Sequence, residues 1–532
     1  MRFTGFEGLG VYWNKRKYPA ILLICSLISA CILIFSRAGR FDISGHQTRA
    51  AAPRIEPDYS DLVIPPNIAP LNFIVQEKGE RFVVEIYTDG DSAIRIESTS
   101  PKIQIPLKPW QSLLRRSRGG TLFFDVYAYT SVGGWIRYHS MANRIAAEPV
   151  DRYLVYRYLR PNYTVQKEMN IRQRDLENYD ETLVMTTKTN SGCVNCHAFK
   201  RHDPSSMLMH LRWGPAAGTL LAQNGTIVKI DTRTDFNPSP GAYPSWHPCG
   251  AVVAFSVNRV FQFFHAIDEN RDVIDLSSDL IVYNIKSNTV SSHPDIASPS
   301  FMETFPAWSP GGEYLYFCRA PQLDPDFSLE RDYRNIKYDL VRIAYDAESG
   351  HWGGIDTLIT AAGTELSCSQ PRVSPDGKHL LLCMSGYGSF PIFRPDADLY
   401  ALSLDEKRLR RLNVNSDAPE GSHCWSSNSR WIVFASKRDN GLFTRLYISY
   451  MDEQGVFHKP FILPLKDPED YQILMRTFSV PELIKEPVPF SARQFVDAAL
   501  DPERERKAEL DPGTRMMTTV PDSFGLATTD YP

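Results

Sequence analysis

The fold is decided by Gln370-Pro371-Arg372-Val373-Ser374-Pro375-Asp376-Gly377 and the apolar run that follows it to Cys383. A short strand enters a Pro/Asx/Gly turn and leaves as a hydrophobic strand, which is a hairpin signal. The same pattern stands at Phe305-Pro306-Ala307-Trp308-Ser309-Pro310-Gly311-Gly312 and at Tyr243-Pro244-Ser245-Trp246-His247-Pro248-Cys249-Gly250. A fourth copy is Ser422-His423-Cys424-Trp425-Ser426-Ser427-Asn428-Ser429. Trp246, Trp308, Val373 and Trp425 lie 62, 65 and 52 residues apart. Another strand follows in each unit, beginning at Asp279, Asp339, Asp398 and Arg445. One small sheet per period is the signature of a β-propeller. Ten residues after each Trp or Val come Ser256, Cys318, Cys383 and Ala435, all small, which predicts a tight packing position between blades.

Of nine cysteines, two lie near the N-terminus (Cys25, Cys31) and five are scattered through the repeats, where they read as structural. The remaining two form Cys193-Val194-Asn195-Cys196-His197. C-x-x-C-H is the attachment pattern of a c-type haem: both thiols bond the porphyrin and His197 is then its proximal axial ligand. A zinc site completed by His202 and His210, a redox dithiol, and a Cys193–Cys196 disulfide are the alternative readings. A second axial ligand would come from His202, Met207, Met209 or His210. On a strand, Met207 and Met209 share one face and His210 and Arg212 the other, so Arg212 would meet a haem propionate. His265, His293 and Met302 are weaker options.

Lys15-Arg16-Lys17 precedes an uncharged, apolar run over residues 19–36. Eighteen residues at about 1.5 Å each just span a hydrocarbon core. The basic block predicts that it stays cytoplasmic and that the body beyond Arg37 is exported. The run reads as a single-span anchor in preference to a cleaved signal. Small-residue cleavage at Ser36-Arg37-Ala38 and a lipoprotein-like Ile28-Ser29-Ala30-Cys31 remain open. The whole 532-residue chain has a mean hydropathy of −0.29, against a multi-span membrane protein. Its net charge is −4 while the first 40 residues hold six basic residues and one acid, so the body is acidic and no nucleic-acid partner is expected.

The Ser-Pro-Asp-Gly units resemble the repeats of TolB-type periplasmic propellers. The likeness continues through Ile64-Pro65-Pro66-Asn67-Ile68-Ala69-Pro70-Leu71-Asn72-Phe73, the C-V-N-C-H group, Met207-Leu208-Met209-His210-Leu211-Arg212, Ser426-Ser427-Asn428-Ser429-Arg430-Trp431 and Leu463-Pro464-Leu465-Lys466-Asp467-Pro468. This ordered set, over roughly residues 60–485, is similar to membrane-anchored Bacteroidetes proteins labelled TolB-like or cytochrome c biosynthesis proteins. The resemblance implies a periplasmic, haem-motif propeller, and it favours Met207 or His210 as the second axial ligand because both fall in the matched stretch.

The reading is therefore an all-β chain. A signal anchor (1–40) and a linker (41–59) lead to a small antiparallel β-sandwich (60–190). A haem-attachment connector (191–206), a TolB-like propeller of about five or six blades (207–486) and a C-terminal helix or frayed tail (487–532) follow. The first blade would begin with 207–231 and be closed by a strand from 465–490. No G-x-S-x-G, P-loop or H-E-x-x-H motif occurs, and Glu303 reads as a solvated carboxylate. The expected function is a single-span inner-membrane protein with a periplasmic body. It would carry one covalent haem c and dock onto a membrane-associated redox or assembly complex. The alternatives are a haem-free interaction scaffold and a peroxidase-like haem enzyme.

Overall fold

A computed structural model of the chain describes residues 40–514, apart from 91–92, 161–167, 188–192, 213, 215 and 265–270. The apolar run 19–36 with its basic flank, Cys25, Cys31, His265 and the last residues from 515 lie outside the described residues. Among the described residues no helix is long and apolar enough to cross a membrane.

Six sheets share one plan, with strands running from an inner to an outer edge. Blade 1 comprises Thr477–Ile484, Tyr153–Leu159, Asn170–Asp175 and Glu181–Thr186; blade 2 comprises Cys193–Lys200, Asp203–Arg212, Gly218–Gln223 and Thr226–Asp231. Blades 3 to 6 begin with Ala242–Trp246, Phe301–Trp308, Ser367–Val373 and Glu420–Trp425. Each inner strand contacts the next around the series, and blade 6 returns to blade 1, so the inner strands form a closed ring. This is a six-bladed β-propeller.

The turns explain why the repeat is legible. Ser374 accepts the His379 amide on its hydroxyl at 3.0 Å, Gly377 donates to the Ser374 carbonyl at 2.8 Å, and Gly377 takes φ +74°. That φ suits glycine. The divergent turns keep the geometry by substitution. In blade 3 the His247 Nδ1 accepts from the Cys249 amide at 3.2 Å, and in blade 6 Ser429 itself adopts φ +60°. Trp246, Trp308, Val373 and Trp425 occupy equivalent last positions, paired with Val253, Leu315, Leu380 and Ile432. Ser256, Cys318, Cys383 and Ala435 are all fully buried. Two of them bridge blades: Ser256 donates to Thr304 at 3.1 Å, and Cys383 lies 3.5 Å from His423 Nδ1.

Three expected boundaries are corrected. Residues 153–186, placed in the sandwich, are the outer three strands of blade 1, and Thr477–Ile484 closes that blade by antiparallel pairing with Tyr153–Leu159. Their mixed Tyr and Arg content hid the strand triplet. Residues 191–206 are no connector: Cys193–Lys200 is the inner strand of blade 2 and turns directly into Asp203–Arg212. The linker is pinned down, with Gln47–Thr48 and Ile55–Glu56 as edge strands and Tyr59 buried.

The remaining N-terminal part holds a seven-stranded and a three-stranded sheet with the helix Leu107–Arg116, whose Trp110 is fully buried and donates to the Ile68 carbonyl at 2.9 Å. Two of its edge pairings are parallel, so the sandwich is not wholly antiparallel. Its core is continuous with blades 6 and 1 through Trp431, Val433, Leu154 and Phe478. Glu303 is fully buried, not solvated, and burial followed by the neighbouring Asp279 charge pushes its carboxyl up to about 9.

The described part of the C-terminal segment, 487–514, packs on the propeller. Ser491 caps the helix Ala492–Leu500 in a capping box, and Pro502 follows where the helix stops. Phe495, Ala498 and Ala499 bury against blades 1 and 2. Glu505–Lys507 and Glu509–Leu510 then pair in parallel with the outer strands of blades 2 and 3. This covers two open sheet edges and ties three blades together. Replacing the fully buried Phe495 with Ala should cost about 3–5 kcal/mol in urea unfolding. Ending the chain at Glu486 should lower the unfolding midpoint at least as far. Unchanged midpoints in both would show that the strap does not support the ring.

Candidate functional site

Each inner strand carries one extra residue against its neighbour, and the six bulges converge on one mouth of the central channel. Tyr243, Phe305, Gln370, Ser422 and Val480 sit there at φ between 44° and 52°, and a proline follows in four of the five. In blade 2 the bulge is Asn195-Cys196, so Cys196 stands where Pro244, Pro306, Pro371 and Pro481 stand elsewhere. His197 is the register equivalent of Arg372 and Glu482. The C-x-x-C-H group is thus the blade-2 version of the propeller's own repeat.

The bulges enclose a cavity of about 240 Å³. Cys193, Cys196 and His197 line it, as do Arg157, Arg212, Arg271 and Arg372, and no carboxylate does among the described residues. Tyr243, Phe305, Phe390 and Phe393 form much of the apolar wall, with Tyr243 and Phe305 ring centres 4.5 Å apart. Glu482 answers part of the charge, accepting from Arg372 at 2.7 Å. Arg157 donates to the Ser479 hydroxyl at 3.0 Å.

His197 is 2% exposed, and neither ring nitrogen has a well-aligned hydrogen-bond partner. The Val155 backbone lies near the ring and acts to raise its titration. An orphaned buried imidazole is costly, and this one lies at a cavity wall. Burial, then the Arg157 and Arg372 charges, push it down to about 3, so it is neutral at ordinary pH. Burial raises the Cys193 thiol, against the pull of Arg212 and Arg157, so it stays protonated. Its S–H donates to the Met169 sulfur at 3.4 Å.

The other sequence candidates divide. Arg212 lines the cavity beside Tyr243 and both thiols. Met207 and Met209 do not: they are fully buried between blades 1 and 2 with Val155, Ile171 and Val184. His210 is opposite the bulge, fully buried, and bonded through Nδ1 to Thr219 at 3.2 Å. His202 has Nδ1 2.8 Å from the Leu483 carbonyl. Met207 and His210 are therefore corrected as cavity ligands: they lie on opposite faces of the second strand of blade 2, and both faces are buried. Among the described residues no group of three or more His, Cys, Asp or Glu side chains is arranged to hold a metal ion.

Sequence reasoning missed Met169, Arg157 and Tyr243. Tyr243 was legible as a repeat position, whereas Met169 and Arg157 lie in a stretch assigned to the other domain. Two thiols, a neutral buried imidazole, aromatic walls and an arginine rim only partly answered by Glu482 fit a flat apolar group bearing carboxylates. The residues present therefore fit a haem.

No model of a known protein family matches the chain, and no curated protein matches it. Solved structures resemble it at low identity. A nidogen/laminin complex chain is 8% identical, with a TM-score of 0.34, covering 58% of this chain and 98% of that one. An oligogalacturonate lyase in complex with manganese is 12% identical, with a TM-score of 0.30 and coverage of 71% and 99%. A 6-phosphogluconolactonase-like protein of Bacteroides fragilis NCTC 9343 is 12% identical, with a TM-score of 0.30 and coverage of 77% and 96%. The propeller assignment rests on the strand pairings above.

His210 and His423 are both held down to about 3, first by burial and then by Arg212 and Arg372 respectively. An unfolded histidine titrates near 6.5, so below that the unfolded chain takes up protons that the folded chain refuses. Stability is therefore fully present above about pH 6.5 and is lost toward pH 3, at up to about 1.4 kcal/mol per pH unit for each histidine. Urea unfolding between about pH 6.5 and pH 5, above the carboxylate range, should show this slope. His210→Asn should flatten it while lowering stability at neutral pH. An unchanged slope in that variant would refute the assignment.

Proposed function

We propose that this chain is a membrane-anchored, periplasmic, monohaem c-type cytochrome. In this reading a TolB-like propeller holds the haem at one mouth of its channel and docks onto a membrane-associated redox or assembly complex. The observation that supports it is the convergence of Cys193, Cys196 and the unpartnered His197 on one arginine-rimmed cavity. A covalently bound haem would supply one-electron transfer there.

The chain's own residues have distinct tasks. Cys193 and Cys196 would hold the porphyrin edge by two thioethers, which sets its orientation. His197 is neutral and so presents a lone pair without first losing a proton. Arg157 and Arg212, which both act on the two thiols, would neutralise the propionates. Phe305, Phe390 and Phe393 supply apolar wall against which the porphyrin would pack. Export through the segment 15–36 would put the thiols in the compartment where such attachment takes place.

The test is mass spectrometry of the protein made in a host able to attach haem c, with a haem stain after denaturing electrophoresis. The peptide containing Cys193 and Cys196 should gain the mass of one haem. C193S and C196S should each lose most of the covalent haem. A peptide that is unmodified, disulfide-linked or zinc-bearing would end the cytochrome reading and leave the haem-free scaffold.

A further inference from the structure

We propose that Met169 is the second axial ligand of the group held by Cys193, Cys196 and His197. The inference rests on the haem reading above and assigns a residue from a different blade. Met169 immediately precedes the strand Asn170–Asp175 of blade 1, is 3% exposed and lines the same cavity as the thiols. Its sulfur is 3.4 Å from Cys193 Sγ. Its backbone is held on both sides by the buried Thr187: the Met169 amide donates to Oγ1 at 3.2 Å, and the Thr187 amide donates to the Met169 carbonyl at 3.0 Å. The main chain is fixed while the thioether faces the cavity, as a positioned ligand requires.

The competitors are otherwise engaged. Apart from the thiols and His197, the soft or neutral nitrogen and sulfur donors lining the cavity among the described residues are Met169 and His423. His423 uses both nitrogens: Nε2 donates to the Leu381 carbonyl at 3.3 Å, and Nδ1 accepts from the Cys383 thiol at 3.5 Å. One tautomer satisfies both bonds, so recruiting His423 would break a buried pair. Tyr243 packs on Phe305 and is hydrogen-bonded with Arg212. Met207, Met209 and His210 face blade cores.

The contact with Cys193 also links attachment to ligation. When the Cys193 S–H adds across a vinyl group, sulfur bonds one vinyl carbon and the proton goes to the other. The Met169 sulfur then loses the S–H that donates to it and keeps a free lone pair. Thioether sulfur is a recognised axial donor that raises the potential.

The full chain is produced with haem attached, alongside M169A, M169H and H423A. Covalent haem is measured by mass, spin state by optical and paramagnetic resonance spectroscopy, and the midpoint potential by redox titration. Wild type should be low-spin. M169A should keep its covalent haem, become high-spin and bind added imidazole at least tenfold more tightly. M169H should return to low-spin with a lowered potential, which also shows that substitution at this site leaves the fold intact. H423A should keep the wild-type spectrum. A low-spin, wild-type spectrum in M169A, a high-spin wild type, or a ligand change in H423A instead would overturn the assignment while leaving the attached haem in place. Absence of covalent haem in wild type overturns the cytochrome reading and Met169 with it.

Discussion

The pairing of Thr477–Ile484 with Tyr153–Leu159 joins strands more than 300 residues apart, and the channel, cavity and blade order all follow from it. A propeller whose first blade took all four strands from one stretch of chain would be held shut only by side-chain packing between its first and last blades. Here the ring is sewn by backbone hydrogen bonds within blade 1. The C-terminal strap adds a second seam over blades 1 to 3. The N-terminal sheets sit across the first seam, sharing a core with blades 6 and 1, so both sides of the closure are buried together.

The cavity is a by-product of that ring. Six inner strands meeting at one axis leave little room for regular pleats, and each one admits a bulge at the same level. Prolines suit these places because a bulged residue gives up a ladder hydrogen bond. Blade 2 is the exception in chemistry, not in geometry: a thiol takes the proline's place, an imidazole follows, and a second thiol lies three residues upstream. One inner strand thereby presents three reactive side chains to the channel, positioned by the same register that positions inert prolines around it.

The electrostatics of the site point one way. Among the described residues four guanidiniums and no carboxylate line the cavity, in a chain whose net charge is negative, so the positive field is local. Burial keeps His197 neutral and Cys193 protonated. Buried ion pairs outside the cavity, such as Arg394 with Asp272 at 2.8 Å, are closed structural units. At the cavity, Arg372 pairs with Glu482, Arg157 donates to Ser479 and Arg271 lies over the Phe393 ring, so positive charge borders an aromatic space, which favours an apolar ligand with acidic groups.

Local pattern alone determined the hairpin repeat, the equivalence of Trp246, Trp308, Val373 and Trp425, the small interblade residues and the C-V-N-C-H group. These are short-range facts: turn residues, alternation and a fixed spacing between donors. Tertiary structure decided the rest. That residues 153–186 belong to the ring is invisible locally, because their partner strand arrives from the far end of the chain. That Met207 and His210 turn away from the cavity depends on their strand standing second in blade 2, where both of its faces are buried inside the ring. That Met169 and Arg157 stand beside the thiols depends on blade 1 lying next to blade 2 once the ring is closed. A sequence specifies which side chains each strand offers to its two faces, but only closure of the sheets decides which of those faces meet.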